Sequence, residues 1–227
     1  VVEARAVADL TVVVGEGLAR HEQGLQWGTT ALALAKGPHV EPQALGDALS
    51  NVGIVLRRQG RLGEALTHQE RALAIRQQVL GSRHPSVADS LDNIGLVLKD
   101  QGRLDEALTH QERALAIRRE ALGPGHPRVA GLLGNIGLVL HDQAKLPEAL
   151  DHHRRALAIY EQAGAPKRLE AAHTRRHLAH ALIEQAQWDR AQEHVEAALE
   201  LYEHHERVDE AHVADARALR DHIAGAR

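Results

Sequence analysis

The chain has 227 residues and carries a net charge of -4; 44% of it is hydrophobic, yet it contains no Phe, Met or Cys and only two Trp and two Tyr. A core of Ala, Leu, Val and Ile suits closely packed helices better than aromatic-rich strands, and a chain without cysteine has neither a disulfide framework nor a thiolate metal site. The charge lacks the strongly basic footprint of a nucleic-acid binder, and no apolar run approaches the ~20 residues of a membrane span.

Residues 1–36 are expected to form a degenerate first repeat, in which Ala31-Leu32-Ala33-Leu34 matches Ala72-Leu73-Ala74-Ile75 and Gly24 stands for Ala65. Three clear repeats are expected at 43–80, 85–122 and 127–163. The first two share a run, QGRLGEALTHQERALAIR at Gln59–Arg76 and QGRLDEALTHQERALAIR at Gln101–Arg118, that differs only at Gly63 against Asp105. A divergent repeat is expected at 167–206 and a capping helix at 208–224. The offset of 42 that joins the two runs also joins Gly53, Gly95, Gly137 and Ala179. It joins Ala65, Ala107, Ala149 and Ala191, and again Ala72, Ala114, Ala156 and Ala198. Three small-residue columns in register identify a repeat protein.

Within each unit the apolar spacing predicts two helices. Val87, Leu91, Ile94 and Leu98 precede a break at Gly102; Leu104, Leu108, Leu115 and Leu122 follow, ended by Gly123-Pro124. Small side chains allow two helix axes to approach within ~8 Å. Pro85 and Pro127 fit the first helical position, where the missing N–H is harmless.

These columns resemble the tetratricopeptide family. The 42-residue spacing, the Leu-Gly-x-x-His-Pro turns at Leu80–Pro85 and Leu122–Pro127, and Asn-Ile-Gly at Asn93–Gly95 and Asn135–Gly137 resemble its kinesin-light-chain subtype. The resemblance implies an all-α, right-handed superhelical solenoid of antiparallel helix hairpins, about five repeats plus the C-terminal helix. It also implies a bacterial signalling context of the nucleotide-binding apoptotic type, and the start at Val1 fits a piece of a longer chain.

In that family the first helix of each pair lines a concave groove. Counted from the glycine column, the inward positions are Ser50, Ile54, Arg57 and Arg58; Asp92, Leu96, Lys99 and Asp100; Gly134, Leu138, His141 and Asp142; Arg176, His180, Ile183 and Glu184. Asn51, Asn93 and Asn135 form a column two residues before the glycine. Asparagines at this level in the kinesin-light-chain subtype hydrogen-bond an extended peptide backbone; the alternative is that they hold the neighbouring hairpin, since an amide serves either task. The peptide-binding residues are thus expected to be Asn51, Asn93, Asn135, Arg57, Arg58, Asp92, Lys99, His141, Arg176 and His180. Asp89 and Asn93 stand where the family's carboxylate clamp needs cations, so that clamp is not expected.

Seventeen histidines raise the question of metal. His173, His177 and His180 share one helical face, but three such neighbours arise easily in a histidine-rich helix, and no metal or cofactor is expected. His68, His110, His152 and His194 recur at the repeat offset, ~10 Å apart in packed helices and too far for one ion; they are expected to form a solvated ladder. The pairs His152-His153 and His204-His205 diverge around a helix and are not expected to be sites. Gly15-Glu16-Gly17 lacks a third glycine, and no nucleophile elbow or phosphate loop occurs, so no enzyme is expected. The expected function is a cytoplasmic protein- or peptide-binding module, the sensing or docking arm of a larger bacterial signalling protein, with no nucleic-acid or membrane partner. The alternatives are a self-association scaffold forming homo-oligomers and a sensor of a small molecule or short signalling peptide.

Overall fold

The computed structural model describes residues 25, 26, 28–30, 33, 42–164, 168–205 and 208–226. Most of the degenerate first repeat, Gly15-Glu16-Gly17 included, lies outside the described residues. The chain packs as two compact units, residues 1–121 and 122–227. Among the described residues there is no strand.

In the first unit α1 (Pro42–Arg58) pairs with α2 (Leu62–Leu80), and α3 (Pro85–Asp100) with α4 (Leu104–Leu122). The second unit contains α5 (Pro127–Asp142), α6 (Leu146–Ala163), α7 (Arg168–Glu184), α8 (Trp188–Glu203) and α9 (Glu210–Gly225). There α5 packs on α6, α6 on α7 and α7 on α8, while α9 lies against α7 and α8.

The first helix of each pair supplies a broad apolar face. In α3 it is Val87, Leu91, Ile94, Val97 and Leu98, each no more than 2% exposed. The helix starts on His84-Pro85: Pro85 needs no N–H partner, and His84 Nδ1 accepts the Ser86 N–H at 3.2 Å. His126 caps Arg128 in the same way at 3.1 Å, so the His-Pro pair of the turn is a helix start written in two residues.

Second helices bury a narrow seam instead. In α2 it is Ala65, Gln69, Ala72 and Arg76; in α6 Ala149, His153, Ala156 and Tyr160 stand at the same places. The alanines let the helices close. The glycine column of the first helices makes room for the polar member of the seam: a Cβ at Gly53 would lie 2.6 Å from Gln69 Nε2, and one at Gly95 2.5 Å from Gln111 Cγ. At Gly137 it would meet the His153 ring at 2.7–2.9 Å. Gly is required at these points because a Gln or His side chain from the facing helix already occupies the space.

Hairpins turn through a residue at positive φ, namely Gly60 (75°), Gly102 (76°), Ala144 (58°) and Ala186 (54°). The following N–H returns to the carbonyl five residues back, as in Arg61 to Leu56 at 3.0 Å and Lys145 to Leu140 at 2.9 Å. On α9, Ala216, Leu219 and Ile223 are buried, Ala216 in a cluster with Ala172, Ala198 and Tyr202.

Candidate functional site

Two polar systems stand out on the first helices, one in each unit, and a pocket is present in the second.

In the first unit most of the seam is tied within the chain, Gln111 excepted, whose buried Nε2 and Oε1 have no hydrogen-bond partner among the described residues. Gln69 Nε2 donates to the Ser50 carbonyl at 2.8 Å, and Ser50 Oγ donates to Gln69 Oε1 at 3.1 Å. Asn93 Nδ2 donates to Ser50 Oγ at 3.2 Å, joining neighbouring hairpins. The Arg76 guanidinium, 7% exposed, donates to Asp47 at 2.9 Å, Ser90 Oγ at 2.7 Å and the Ser86 carbonyl at 3.3 Å. Arg118 pairs with Asp89 one repeat on. A buried guanidinium needs such partners, since unpaired it costs several kcal/mol.

Arg57, Lys99 and Arg176, expected along the groove, are in ion pairs. Arg57 meets Asp100 at 2.8 Å, and Lys99 Nζ stands 3.3 Å from the other oxygen of the same carboxylate. His141 Nε2 lies 2.9 Å from Glu184 Oε1. Arg176 and His180 converge on Asp215 of α9, His180 Nε2 at 3.0 Å. Burial pushes the Asp215 carboxyl up, and the hydrogen bonds from His180 and Arg176 outweigh it and hold the group below its ordinary range. Arg58 is exposed at the end of α1, while Asn51, Asp92 and Asn135 are partly buried on their helices. The structure therefore brings Arg57 to Lys99 and Arg176 to His180, each pair through a shared carboxylate.

His173, His177 and His180 do not converge. His180 goes to Asp215, His177 stacks on His153 with ring centroids 5.7 Å apart, and His173 stands edge-on to His212 at 4.3 Å. Among the described residues no three His, Asp or Glu side chains are placed to hold a metal ion. The expected solvated ladder is half-buried instead. His68 and His152 bind carbonyls of their own helices at 2.9 and 3.0 Å, and burial, with Arg175 beside it, pushes His194 down to about 4.

His153, set aside with His152 in the sequence, is the residue that reasoning missed. It is 1% exposed, burial pushes it down from 6.5 to about 4, and its Nδ1 has no hydrogen-bond partner among the described residues. Its ring forms one wall of a pocket of about 360 Å³ in the second unit, bounded also by Tyr160, His173, His177 and Glu170, with Gly131 and Gly134 along α5. Burial likewise pushes His173 down to about 4 and His177 well below its ordinary value. The signal was legible as a change within a column: Gln69 and Gln111 become His153, Arg76 and Arg118 become Tyr160, and Asp47 and Asp89 become Gly131.

The tetratricopeptide-repeat family model matches residues 45–120, 90–162 and 128–204. No curated protein matches the chain. Among solved structures, BtubC from P. vanneervenii is 19% identical with a TM-score of 0.75, over 91% of this chain and 85% of that one. Two structures of Podosopora anserina kinesin-light-chain repeats, the first of them a single-residue variant, are 18% and 19% identical with TM-scores of 0.70 and 0.67. They cover 87% and 90% of this chain and 93% and 97% of theirs. Such likeness shows the fold, and the repeats generally serve protein interaction without a catalytic family being indicated. The paired helices, the small-residue columns and the matched repeats together make this chain a member of the tetratricopeptide-repeat family.

Proposed function

We propose that the protein is a peptide- or protein-binding module, the sensing or docking arm of a larger bacterial signalling protein working in the cytoplasm. The observation that carries this reading is the recurrence of Asn51, Asn93 and Asn135 at one place on successive first helices, each only partly buried. Beside them the charges are largely matched within the chain, Arg57 with Asp100 and Arg176 with Asp215. A partner is then recognised through amide contacts to an extended backbone more than through net charge, because a paired cation gains little from a second carboxylate. Arg58, Asp92 and Lys99 on the first helices of the first unit, and His141 and His180 on those of the second, contact the partner's side chains.

Affinity capture from the native lysate tests this, using the protein beside a variant with Asn51, Asn93 and Asn135 all changed to Ala, with circular dichroism to show that the variant folds. A protein held by the parent and lost by the variant supports the module. Equal capture by both moves binding off the asparagine face, and capture of nothing but further copies of the chain makes it a self-association scaffold.

A further inference from the structure

The pocket in the second unit occupies the place of a side chain that the first unit has and the second lacks. In the first unit, Arg76 lays its guanidinium between Asp47, the Ser86 carbonyl and Ser90 Oγ. Two repeats further on, the same four positions are Tyr160 for Arg76, Gly131 for Asp47, Glu170 for Ser86 and Thr174 for Ser90. All four line the pocket. The arginine and its aspartate have gone, and a carboxylate has appeared where the serine stood.

We propose that this pocket is a receptor for a guanidinium group, carried by a free small molecule or by an arginine side chain of a bound peptide. It would be seated between the Glu170 carboxylate and the imidazoles of His153 and His173. Asn135 of the asparagine face also lines the pocket, but the inference rests on the other walls, and Glu170→Gln tests it without altering any asparagine.

Two ring nitrogens give it an independent footing. His153 Nδ1 and His173 Nε2 are buried without a hydrogen-bond partner among the described residues, and both rings line the pocket. A neutral imidazole offers one acceptor, and burying it unmet costs about 1–3 kcal/mol, so a turn of either ring that brings its nitrogen to an N–H-rich ligand relieves a standing penalty. Both rings are neutral at pH 7, since burial pushes each to about 4. Among the described residues that line the pocket the Glu170 carboxylate is the one formal charge, which favours a cation over an anion. Arg176 stands 3.4 Å from His177 Nε2, but its charge is met by Asp215. Thr174 Oγ1 donates to the Glu170 carbonyl at 2.8 Å, which leaves its lone pairs to accept. Tyr160 lines the pocket as well and brings an aromatic ring, the kind of group on which a planar cation stacks. With no side chain on Gly134 and nothing within 4 Å of where its Cβ would be, the way in is open.

The test is calorimetric titration of the protein with agmatine, as a free guanidine, and with N-acetylarginine methylamide, as a peptide-borne one, with amide NMR shifts to locate the site. N-acetylcitrulline methylamide is the uncharged isostere. A single site is expected with Kd on the order of 1 mM, citrulline at least roughly tenfold weaker, and the largest shifts at Gly131, Gly134 and Thr174. Glu170→Gln is expected to weaken binding by about tenfold or more. The double variant Gly131→Asp, Tyr160→Arg rebuilds the first unit's pair inside the pocket and is expected to abolish binding while keeping the helical circular dichroism. Binding of agmatine alone assigns the site to a free small molecule, and binding of both admits an arginine side chain. Citrulline binding as tightly as arginine, no shifts with either guanidine up to about 20 mM, or unchanged binding in Glu170→Gln would each overturn the proposal.

Discussion

The two units use one backbone plan with different polar interiors. In residues 42–121 the seam of the second helices is largely tied within the chain, Gln69 to Ser50, Arg76 to Asp47 and Ser90, and Arg118 to Asp89, with the buried Gln111 amide left unmet among the described residues. In residues 122–227 the same seam carries His153, Tyr160, Val195 and Tyr202, with Gly131 and His173 in place of the aspartates. The second arrangement leaves ring nitrogens unmet and a pocket open. Packing of the alanine columns does not depend on which polar set fills the seam, so the fold is kept while the seam changes from repeat to repeat.

Acid should separate the units most. His153 titrates at about 4 in the folded chain against an ordinary 6.5. Above pH 6.5 its ring is neutral in folded and unfolded chains alike and has no effect on stability. Between pH 6.5 and 4 only the unfolded chain takes up the proton, so stability falls as pH falls, by roughly 3 kcal/mol at full extent. His173, His177 and His194 shift in the same direction. Hydrogen exchange followed by mass spectrometry at pH 7 and pH 4.5 is expected to show residues 122–227 losing protection before residues 42–121. His153→Gln, which installs the first unit's residue, is expected to flatten that dependence, and an unchanged acid profile would remove His153 from the explanation.

The next contrast is between glycines. A methyl at Gly95 would press on Gln111 Cγ and come within 3.2 Å of the Ala107 carbonyl oxygen, whereas one at Gly134 meets nothing within 4 Å. Gly95→Ala is expected to cost about 2 kcal/mol in urea unfolding. Gly134→Ala, in a helix with open space, is expected to gain up to about 1 kcal/mol. Equal costs at the two sites would mean that the Gln111 side chain swings aside easily. Removing the guanidinium of Arg118 comes third: Arg118→Met leaves Asp89 without its partner but partly exposed, at an expected cost of about 1–2 kcal/mol in the same assay.

The fold was legible because repeats write it several times over. The alanine and glycine columns, the His-Pro helix starts and the hairpin glycines each recur at the 42-residue offset, so a single accidental match carries no weight. The candidate site was less legible for the opposite reason. Pairings such as Arg57 with Asp100, or Arg176 with Asp215, join residues about one repeat apart whose meeting depends on side-chain rotamers. His153 was hidden by its neighbour, because a His-His pair on a helix looks like a polar surface until the position is compared with Gln69 and Gln111. What the glycine column accommodates also required coordinates: spacing predicts a close approach, and only the structure shows that a Gln or His side chain fills it.

The hairpin turns give the smallest and cleanest contrast. Gly60 and Gly102 hold the positive-φ position in the first unit, and Ala144 and Ala186 hold it in the second at 58° and 54°. A side chain in the left-handed region costs roughly 1–2 kcal/mol, because Cβ crowds the following carbonyl. Glycine removes that strain but adds freedom to the unfolded chain, which returns part of the gain. Ala144→Gly is therefore expected to stabilise the second unit by about 0.5–1 kcal/mol, read as a rise of a few degrees in Tm, and Gly102→Ala to destabilise the first by a similar amount. Neither position touches the asparagine face or the pocket, so binding should be unchanged in both. A fall in Tm for Ala144→Gly would show that the turn is held by the Lys145 to Leu140 hydrogen bond firmly enough for alanine's stiffness in the unfolded chain to outweigh its strain in the folded one.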